Sequence, residues 1–407
     1  MAFTTVTGSN GVTSLVGTSG IDVATIVTLS SNVFVGGQGA NDVITEALAG
    51  PTFSASNYTV NGGAGDDAIT FNNTVLNSTI NGDGGTGTAG NDTFTFNSIV
   101  INSAVNGGSG NDVIGTNFNQ YSNSTVNGNA GDDTIRVGAS SSSSIYGGQD
   151  TDDITTAGNS SSVLINGNKG SDAITLGAAA FTTGTLYGGN GNDTISAAAV
   201  TTTTGAALGA TAAGVFISGD LGDDGMTGSG GIDTMNGGDG ADTIVAGAGA
   251  DVINGDAGND RITGGTGADN ITGGTGNDVF SYAAGDSVVA ANASTGFDTI
   301  TDFAANTSAT TNGDRINIGA AATFSTAAGN FATAGASLSA DLGAAGLGLA
   351  AANSVSTVTI TGAVAWAGNY IVIGDATAGY NAADTVIKVN TLNNVTAANI
   401  PNVIGLF

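Results

Sequence analysis

GDLGDDGMT GSGGIDTMN GGDGADTIV AGAGADVIN GDAGNDRIT GGTGADNIT GGTGNDVFS is the sequence of residues 219–281, and it repeats one nine-residue pattern seven times without a gap. The sixth position of each repeat is an aspartate: Asp224, Asp233, Asp242, Asp251, Asp260, Asp269 and Asp278. The eighth is a large apolar residue: Met226, Met235, Ile244, Ile253, Ile262, Ile271 and Phe280. Because glycine admits backbone angles that other residues resist, each repeat predicts a tight turn followed by a short strand with one inward side chain. Two nonapeptides then make one coil.

The recurring carboxylates predict a divalent cation. Stacked coil over coil at the spacing of parallel strands, aspartates would repel one another strongly unless a cation lay between them. Oxygen ligands on short side chains favour calcium over softer metals. Some of these aspartates could instead cap the glycine turns, and this alternative stays open for individual loops. The glycine pair is interrupted in four copies, by Asp220, Ser229, Ala246 and Asp256, which leaves the affinity of single sites open.

In this register the repeat resembles the RTX family of calcium-binding nonapeptides. The resemblance implies an all-β chain, folded as a right-handed parallel β-roll or β-helix solenoid with calcium-binding turns. It also implies that calcium is held between loops on one edge by the sixth-position aspartates and loop carbonyl groups. The chain looks closest to the RTX-type surface-layer proteins, with a C-terminal part similar to the β-roll of serralysin-type domains.

Upstream the aspartates recur in longer steps of 19 to 25 residues, at Asp22, Asp42, Asp67, Asp92, Asp112, Asp133, Asp152, Asp172 and Asp193. One coil per step predicts a two-layer solenoid, with one inward strand before each glycine loop and one after it. The irregular loops that end at Asp42 and Asp92 are candidates for empty turns. From this part of the chain we expect calcium ligands at Asp67, Asp112, Asp133, Asp152, Asp172 and Asp193.

The second turn of these long coils has no acidic residue. It reads 139–144, 158–162 or 178–184, and it consists mainly of serine, threonine, alanine and glycine. The sequence therefore predicts calcium along one edge of the long coils and a neutral surface along the other. In the tandem block both edges should carry calcium.

Three parts follow from these changes of spacing. We predict a long-coil β-solenoid over 1–218, the tandem β-roll over 219–281, and a β-rich cap with a type I secretion signal over 282–407. The low-complexity run 197–214 would form a widened coil or a surface loop. In the last part, 337–342 has helical spacing, whereas 370–372, 384–389 and 395–407 are strand-like. Asp298 and Asp302 either add a calcium site, as the serralysin resemblance implies, or cap turns.

Charge and composition exclude several classes of function. The chain has 33 acidic residues and five basic ones, a formal charge of −28, and neither histidine nor cysteine. Nucleic-acid binding needs clustered lysine and arginine, which are absent. Without histidine the zinc-binding pattern of serralysin proteases is missing, so we expect no enzyme, no catalytic residue and calcium as the only cofactor. Residues 1–20 contain neither a secretory signal nor a membrane span, so we expect no membrane insertion and export by another route.

These features predict a secreted, calcium-dependent, self-assembling structural protein. It would be a surface-layer or extracellular fibre subunit, whose partner is a further copy of itself, with cell-surface polysaccharide as a second partner. The alternative is a monomeric RTX adhesin, or a rod that binds ice or carbohydrate. That alternative requires regular Thr-x-Thr ladders, whereas the threonines of 182–183 and 201–204 are clustered.

Overall fold

The computed structural model describes the chain in sixteen segments. They are 4–7, 13–26, 33–37, 39–46, 54–84, 90–177, 180–200, 213–283, 286–287, 296–304, 313–317, 323–324, 329–332, 352–361, 368–375 and 385–390. Every regular element in these ranges is a β-strand, and the strands form a parallel β-solenoid of about 12 turns. The predicted all-β solenoid is confirmed. No helix in the described part of the chain is long and apolar enough to cross a membrane.

The chain divides into two compact units, Met1–Ala207 and Leu208–Phe407. The second unit contains both the tandem block and the C-terminal strands. The three-part division at 218 and 281 therefore stays a prediction, because the units mark a single boundary near the first of these positions. In each unit the strands form two layers, numbered here 1 and 2 in the first unit and 3 and 4 in the second.

Layer 1 consists of Thr4–Thr7, Thr13–Val16, Val33–Gly36, Thr59–Gly63, Thr79–Asp83, Ala104–Ser109, Thr125–Ala130, Ser144–Gln149, Leu164–Lys169 and Thr185–Asn190. Layer 2 consists of Val23–Ile26, Val43–Glu46, Ser54–Ser56, Ala68–Phe71, Thr74–Leu76, Thr93–Phe96, Val100–Ile101, Val113–Ser122, Thr134–Ser141, Asp153–Thr156, Ser160–Ser161, Ala173–Leu176, Phe181–Thr182 and Thr194–Ser196. Strands in both layers pair in parallel, except that Thr4–Thr7 lies antiparallel to Thr13–Val16. Equivalent residues of successive coils are therefore direct neighbours.

Layer 3 consists of Ala213–Leu221, Ile232–Asp239, Val252–Ala257, Asn270–Thr272, Asp298–Ile300, Thr323–Phe324, Gly329–Ala332, Ala352–Thr361, Gly368–Asp375 and Thr385–Val389. Layer 4 consists of Gly225–Thr227, Thr243–Gly249, Arg261–Gly267, Val279–Ser281 and Arg315–Asn317. The tandem block ends with Asn270–Thr272 pairing to Asp298–Ile300, which in turn pairs with Thr385–Val389. Gly368–Asp375 then adds antiparallel pairs, so the C-terminal β-rich cap is part of the second unit.

The core is a row of inward side chains, one or two from each strand. The eighth-position residues Met226, Ile244 and Ile262 are at most 1% exposed, like their equivalents Ile114 and Ile135 in the first unit. Burying each such side chain contributes about 1.5–3 kcal/mol. The core of the first unit also contains an aromatic row. The ring centroids of consecutive members lie 5.9–6.3 Å apart, and the row consists of Tyr58, Phe71, Phe96 and Tyr121.

The strands predicted at 370–372 and 384–389 lie within Gly368–Asp375 and Thr385–Val389. The predicted helix at 337–342 and the predicted strand at 395–407 fall outside the described residues, as does most of the low-complexity run, 201–212.

Candidate metal centre

The repeat aspartates of the first unit lie at one corner of the coil, directly before a layer 2 strand. They form a ladder in which Oδ1 of each carboxylate accepts the backbone N–H of the aspartate one coil earlier. The N–H of Asp112 donates to Asp133 over 2.7 Å, and the N–H of Asp133 donates to Asp152 over 2.8 Å. The ladder contains Asp22, Asp42, Asp67, Asp92, Asp112, Asp133, Asp152, Asp172 and Asp193.

The second unit has two such ladders, one at each edge. The first precedes layer 4 strands and contains Asp224, Asp242, Asp260, Asp278 and Asp314. The second leads into layer 3 and contains Asp233, Asp251, Asp269 and Asp298. The structure therefore places carboxylates at one edge of the long coils and at both edges of the tandem block, in the arrangement that the spacing predicts.

In nearly every rung the other carboxylate oxygen, Oδ2, has no hydrogen-bond partner. These side chains are at most 2% exposed. A buried charged oxygen without a partner is costly, because the protein replaces its hydration with nothing. The oxygens in this position belong to Asp42, Asp67, Asp92, Asp112, Asp133, Asp152, Asp172, Asp193, Asp224, Asp242, Asp251, Asp260, Asp269, Asp278 and Asp298.

Glycines keep the space beside each unpaired oxygen open. A Cβ added at Gly128 would lie 2.0 Å from Oδ2 of Asp133 and 2.6 Å from the carbonyl oxygen of Gly147 in the next coil. The equivalent position in the second unit, Gly237, would meet Asp242 Oδ2 at 2.3 Å and the Gly255 carbonyl oxygen at 2.4 Å. A carboxylate oxygen and a carbonyl oxygen therefore converge where only glycine fits. Hard oxygen donors of this kind suit calcium.

Each rung brings one carboxylate together with main-chain oxygens. Accordingly, the described residues contain no group of three or more Asp, Glu, His or Cys side chains that could hold a metal by themselves. A cation at these edges would be shared between coils, with carboxylates from neighbouring rungs and carbonyl groups from the loops. The residues present thus fit calcium and lack the soft or imidazole ligands that zinc prefers.

The pKa values show how strongly the ladder disfavours unpaired charge. Burial raises the pKa of Asp112 and of Asp152 to about 8, and carboxylates of the adjacent rungs raise it further against the backbone N–H that each accepts. Burial likewise raises the pKa of Asp251 and of Asp260 to about 7 in the second unit. Without a cation, part of each ladder would therefore be protonated at neutral pH.

Two rungs differ because a hydroxyl residue occupies the second loop position. Oδ2 of Asp22 accepts the N–H of Thr18 over 2.5 Å and its hydroxyl over 2.9 Å. Asp233 accepts the N–H of Ser229 on Oδ2 over 2.7 Å and its hydroxyl on Oδ1 over 2.8 Å. The backbone N–H of Thr18 is the main cause of the lowered pKa of Asp22. Oδ1 of Asp233 also accepts the N–H of Val215 over 2.6 Å, so this carboxylate is fully satisfied by the protein. Asp22 keeps a buried Oδ1 without a hydrogen-bond partner.

The opposite edge of the long coils uses hydroxyl groups where the first edge uses carboxylates. The N–H of Ser78 donates to Ser103 Oγ over 3.0 Å, and the N–H of Ser103 donates to Ser124 Oγ over 3.2 Å. Tyr58 and Ser143 extend this serine ladder at its two ends. Each of these serines is at most 5% exposed. The neutral edge that the sequence predicts is thus a buried ladder with the same hydrogen-bond pattern.

Directly after the tandem block, the candidate residues occupy different positions. Asp298 is a rung, since its Oδ1 accepts the N–H of Asp269 over 2.9 Å. Asp302 instead caps a turn, because its two oxygens accept the N–H groups of Gly273 and Gly274 at 2.9 and 2.7 Å. Asp314, which the sequence analysis did not select, accepts the N–H of Asp278 over 3.1 Å and closes the first ladder.

Sequence reasoning also set aside Asp42 and Asp92, whose loops have extra residues. The structure places both in the ladder with an unpaired Oδ2 like that of their neighbours. Their spacing from the adjacent repeat aspartates, 20 or 25 residues, is the sequence feature that identifies them as rungs. The serine ladder left a signal too, because Ser103, Ser124 and Ser143 each stand nine residues before a repeat aspartate.

Comparison with known proteins agrees with this geometry. The family model of the RTX calcium-binding nonapeptide repeat matches the chain in four copies, at residues 121–142, 185–199, 227–262 and 254–289. No curated protein matches the chain. Among solved structures the chain is similar to the solution structure of the AlgE6R3 subunit of the Azotobacter vinelandii mannuronan C5-epimerase, at 23% identity, covering 49% of this chain and 93% of that one. The TM-score is 0.21, which is too low for this similarity to support a structural conclusion.

The chain therefore carries RTX calcium-binding nonapeptide repeats, and calcium is the metal that these repeats bind. When bound, calcium would supply the positive charge that the buried carboxylates lack. Which of the predicted aspartates hold it stays a prediction, supported by the unpaired oxygens.

Proposed function

We propose that this chain is a secreted structural subunit that folds on binding calcium and assembles with copies of itself into a surface layer or an extracellular fibre. Proteins with RTX repeats are typically secreted, and these repeats are generally structural. The observation that carries the proposal is the combination of carboxylate ladders with apolar side chains exposed beside them.

The calcium concentration of a compartment determines whether the chain folds there. The buried carboxylates of the ladders oppose folding while they lack a cation, so calcium binds the native state and stabilises it by mass action. A site at a free calcium concentration 100-fold above its Kd adds about 2.7 kcal/mol. In the calcium-poor cytoplasm the chain would stay unfolded and fit for export. Millimolar calcium outside the cell would fold it.

The contact surface is the open end of layer 2. Among the described residues, Val23–Ile26 pairs on one side only, with Val43–Glu46. An unpaired strand edge is a template for another chain. The large apolar side chains beside it are exposed, Ile21 by 64%, Val23 by 58% and Val43 by 39%. Exposed apolar groups next to an open strand mark a site of protein contact.

The second unit exposes apolar residues at its edges as well. Ile232 and Val252 stand next to the ladder residues Asp233 and Asp251, and they are 41% and 47% exposed. Head-to-tail contacts between different surfaces of identical copies build rings, sheets or filaments. The role that we propose is structural and involves no catalysis, since the chain has no histidine and its five basic residues are scattered.

A monomeric adhesin or ice-binding rod is the second candidate, and a rank of threonines in layer 2 favours it. Thr25, Thr45, Thr70 and Thr95 are direct neighbours on successive parallel strands. This rank is more regular than the clustered threonines of the sequence indicate. A Thr-x-Thr ladder needs a second rank two residues earlier, and there the same strands carry valine, alanine or, at Thr93 alone, threonine.

Negative-stain electron microscopy of the purified chain with a chelator, and again with about 10 mM calcium, separates the two candidates. Ordered sheets or filaments that form only with calcium support the structural subunit. Separate short particles in calcium would contradict self-assembly and favour the adhesin.

The contact surface is tested with the double substitution Ile21→Lys and Val23→Lys, which places two charges beside the open strand. We expect the assemblies to disappear while circular dichroism in calcium stays that of the wild type. The matched control is Thr116→Lys with Gln120→Lys, which adds the same charge to exposed positions in the middle of layer 2. Loss of assembly in the control as well would show that charge, rather than this surface, is responsible.

A further inference from the structure

Two outward-facing rows of layer 1, the first and third residues of each strand, carry no charge over seven consecutive coils. The layer 1 strands from Thr59–Gly63 to Thr185–Asn190 pair in parallel and in register. The first residue of each strand is partly exposed, and this row reads Thr59, Thr79, Ala104, Thr125, Ser144, Leu164 and Thr185. The third residue is also partly exposed, and that row reads Asn61, Asn81, Asn106, Asn127, Tyr146, Asn166 and Tyr187. None of these residues is charged, in a chain with 33 acidic residues.

In the second row, asparagine and tyrosine alternate along four neighbouring strands. Asn127 pairs with Tyr146, Tyr146 with Asn166, and Asn166 with Tyr187. The two tyrosines are two strand spacings apart, which is about 10 Å. We call this row, Asn127, Tyr146, Asn166 and Tyr187, the Asn–Tyr row.

The two asparagines are held by their own loops. Oδ1 of Asn127 accepts the N–H of Asn129 over 3.2 Å, and Oδ1 of Asn166 accepts the N–H of Asn168 over 2.8 Å. A carboxamide also has two N–H donors. The loops therefore fix the side-chain oxygen of each residue, and the donors are left for a ligand.

Such a row suits a sugar polymer. A tyrosine ring offers a rigid apolar surface with a polar tip, on which the apolar face of a sugar ring can stack. Asparagine amides give adaptable hydrogen bonds to hydroxyl groups. Two strand spacings are close to the length of two sugar rings in an extended chain, so every second sugar could meet a tyrosine.

Charge selects the kind of polymer. Uronic-acid polymers and nucleic acids carry an anionic group on each unit and need lysine or arginine to pair with it, and neither row contains one. Rows without charge can lose their water against a neutral ligand without burying an ion. We propose that the Asn–Tyr row and the hydroxyl-bearing row beside it bind a neutral polysaccharide that runs across the strands. This site does not depend on self-assembly, and in a surface layer it would attach the subunit to the cell-surface glycan.

The test uses the calcium-loaded full chain with particles of cellulose, chitin and β-1,3-glucan, and with cross-linked alginate as the anionic comparison. We expect saturable retention on at least one neutral polymer and none on alginate. Tyr146→Ala with Tyr187→Ala should lower the bound fraction about tenfold. The matched control, Thr155→Ala with Thr175→Ala on the outer face of layer 2, should bind like the wild type.

A second variant protects the test against loss of folding. Asn127→Asp with Asn166→Asp keeps the oxygen that accepts each loop N–H, but it removes the N–H donors and adds charge. We expect wild-type circular dichroism in calcium and loss of retention. Absence of retention on every neutral polymer overturns the proposal, as does retention that none of the row variants changes. Preferential binding to alginate overturns it too.

Electron microscopy of the same variants keeps this proposal separate from self-assembly. Row variants that still form calcium-dependent sheets, yet no longer bind polysaccharide, place glycan binding on this face alone. Variants that lose sheets and retention together would show that the row is a contact between copies, and they would overturn the polysaccharide site.

Discussion

The two edges of the long coils solve the same structural problem with different atoms. At both edges a side-chain oxygen accepts the backbone N–H of the equivalent residue one coil earlier. The accepting oxygen belongs to Asp133 at one edge and to Ser124 at the other. The serine hydroxyl also donates, to the carbonyl of Ser122 over 2.9 Å, so the group is fully used within the protein. The carboxylate keeps a second, unpaired oxygen. One edge is thus complete by itself, and the other is complete only with a cation.

The tandem block shows what happens when the serine edge is absent. Both of its edges carry carboxylates, so a larger share of its stability should depend on calcium. The hydrogen-bond ladder thus sets the coil geometry, and the charge at the corner sets the requirement for metal.

The largest expected effect comes from neutralising the carboxylate edge. Asp112→Asn, Asp133→Asn and Asp152→Asn together keep an oxygen for each ladder hydrogen bond but remove three charges. We expect the calcium concentration needed for folding to rise more than tenfold, because the metal loses its charged ligands. In a chelator the same variant should be more folded than the wild type, since buried unpaired charges are gone. A calcium titration followed by circular dichroism measures both effects. The same change in folding with and without calcium would contradict the proposed difference between the two edges.

The second effect is a dependence on pH with opposite signs in the two conditions. Burial raises the pKa of the rungs, to about 7 for Asp67 and about 8 for Asp112, above the value near 4 of the unfolded chain. Without calcium, the folded chain therefore holds more protons between these pKa values, and its stability falls as pH rises from about 4 to about 8. With calcium, protons compete with the metal, so affinity should fall as pH drops from 8 to 6. Circular dichroism in chelator and calorimetric titration with calcium, each at several pH values, test the two signs, and a shared sign would refute this prediction.

A smaller effect is expected at the serine edge. Ser103→Ala leaves the N–H of Ser78 and the carbonyl of Ile101 without their hydrogen bonds. The cost should be about 1–3 kcal/mol, a fall of several degrees in the melting temperature. Because no metal is involved, the fall should be the same at 1 and 10 mM calcium. A difference that grows with calcium would assign this edge to the metal as well.

The smallest effect is a gain of one site. Ser229→Gly restores the glycine pair of the repeat and removes the hydroxyl bond that Ser229 donates to Oδ1 of Asp233. The backbone N–H of residue 229 remains, but glycine can adopt the positive φ that Gly238 and Gly274 have at this loop position, which should turn that N–H away from Oδ2. Asp233 then resembles the other rungs, and we expect one additional calcium per chain by equilibrium dialysis with metal analysis. The control is Ser218→Gly, which removes a hydroxyl that donates to Asp220 outside the ladders. An unchanged calcium count in Ser229→Gly would show that the hydroxyl does not replace the metal.

Much of this architecture could be predicted from the sequence because the repeat keeps the same residue type at the positions where only that residue fits. A glycine that faces a carboxylate and a carbonyl oxygen tolerates no side chain, so Gly128 and Gly237 stand at fixed distances from their aspartates. The coil length, the inward residues and the one-sided aspartate edge all follow from that spacing.

Other features escaped because several residue types meet the same need. A turn that needs only an acceptor can use serine, so the ladder through Ser103 looked like a neutral surface. Asp92 keeps its place in the ladder although its loop has extra residues, so loop length is a poor guide to which aspartates are rungs. Asp302 and Asp314 lie close together in the sequence, and only the pairing of the closing strands decides which of them is a rung.

The central claim is that the carboxylate ladders need calcium to fold. It is tested most directly by far-ultraviolet circular dichroism of the wild-type chain at pH 7.5 in a chelator and in about 10 mM calcium. The account predicts little β-structure in the chelator and a full β-signal in calcium. The same β-content in both solutions would contradict it.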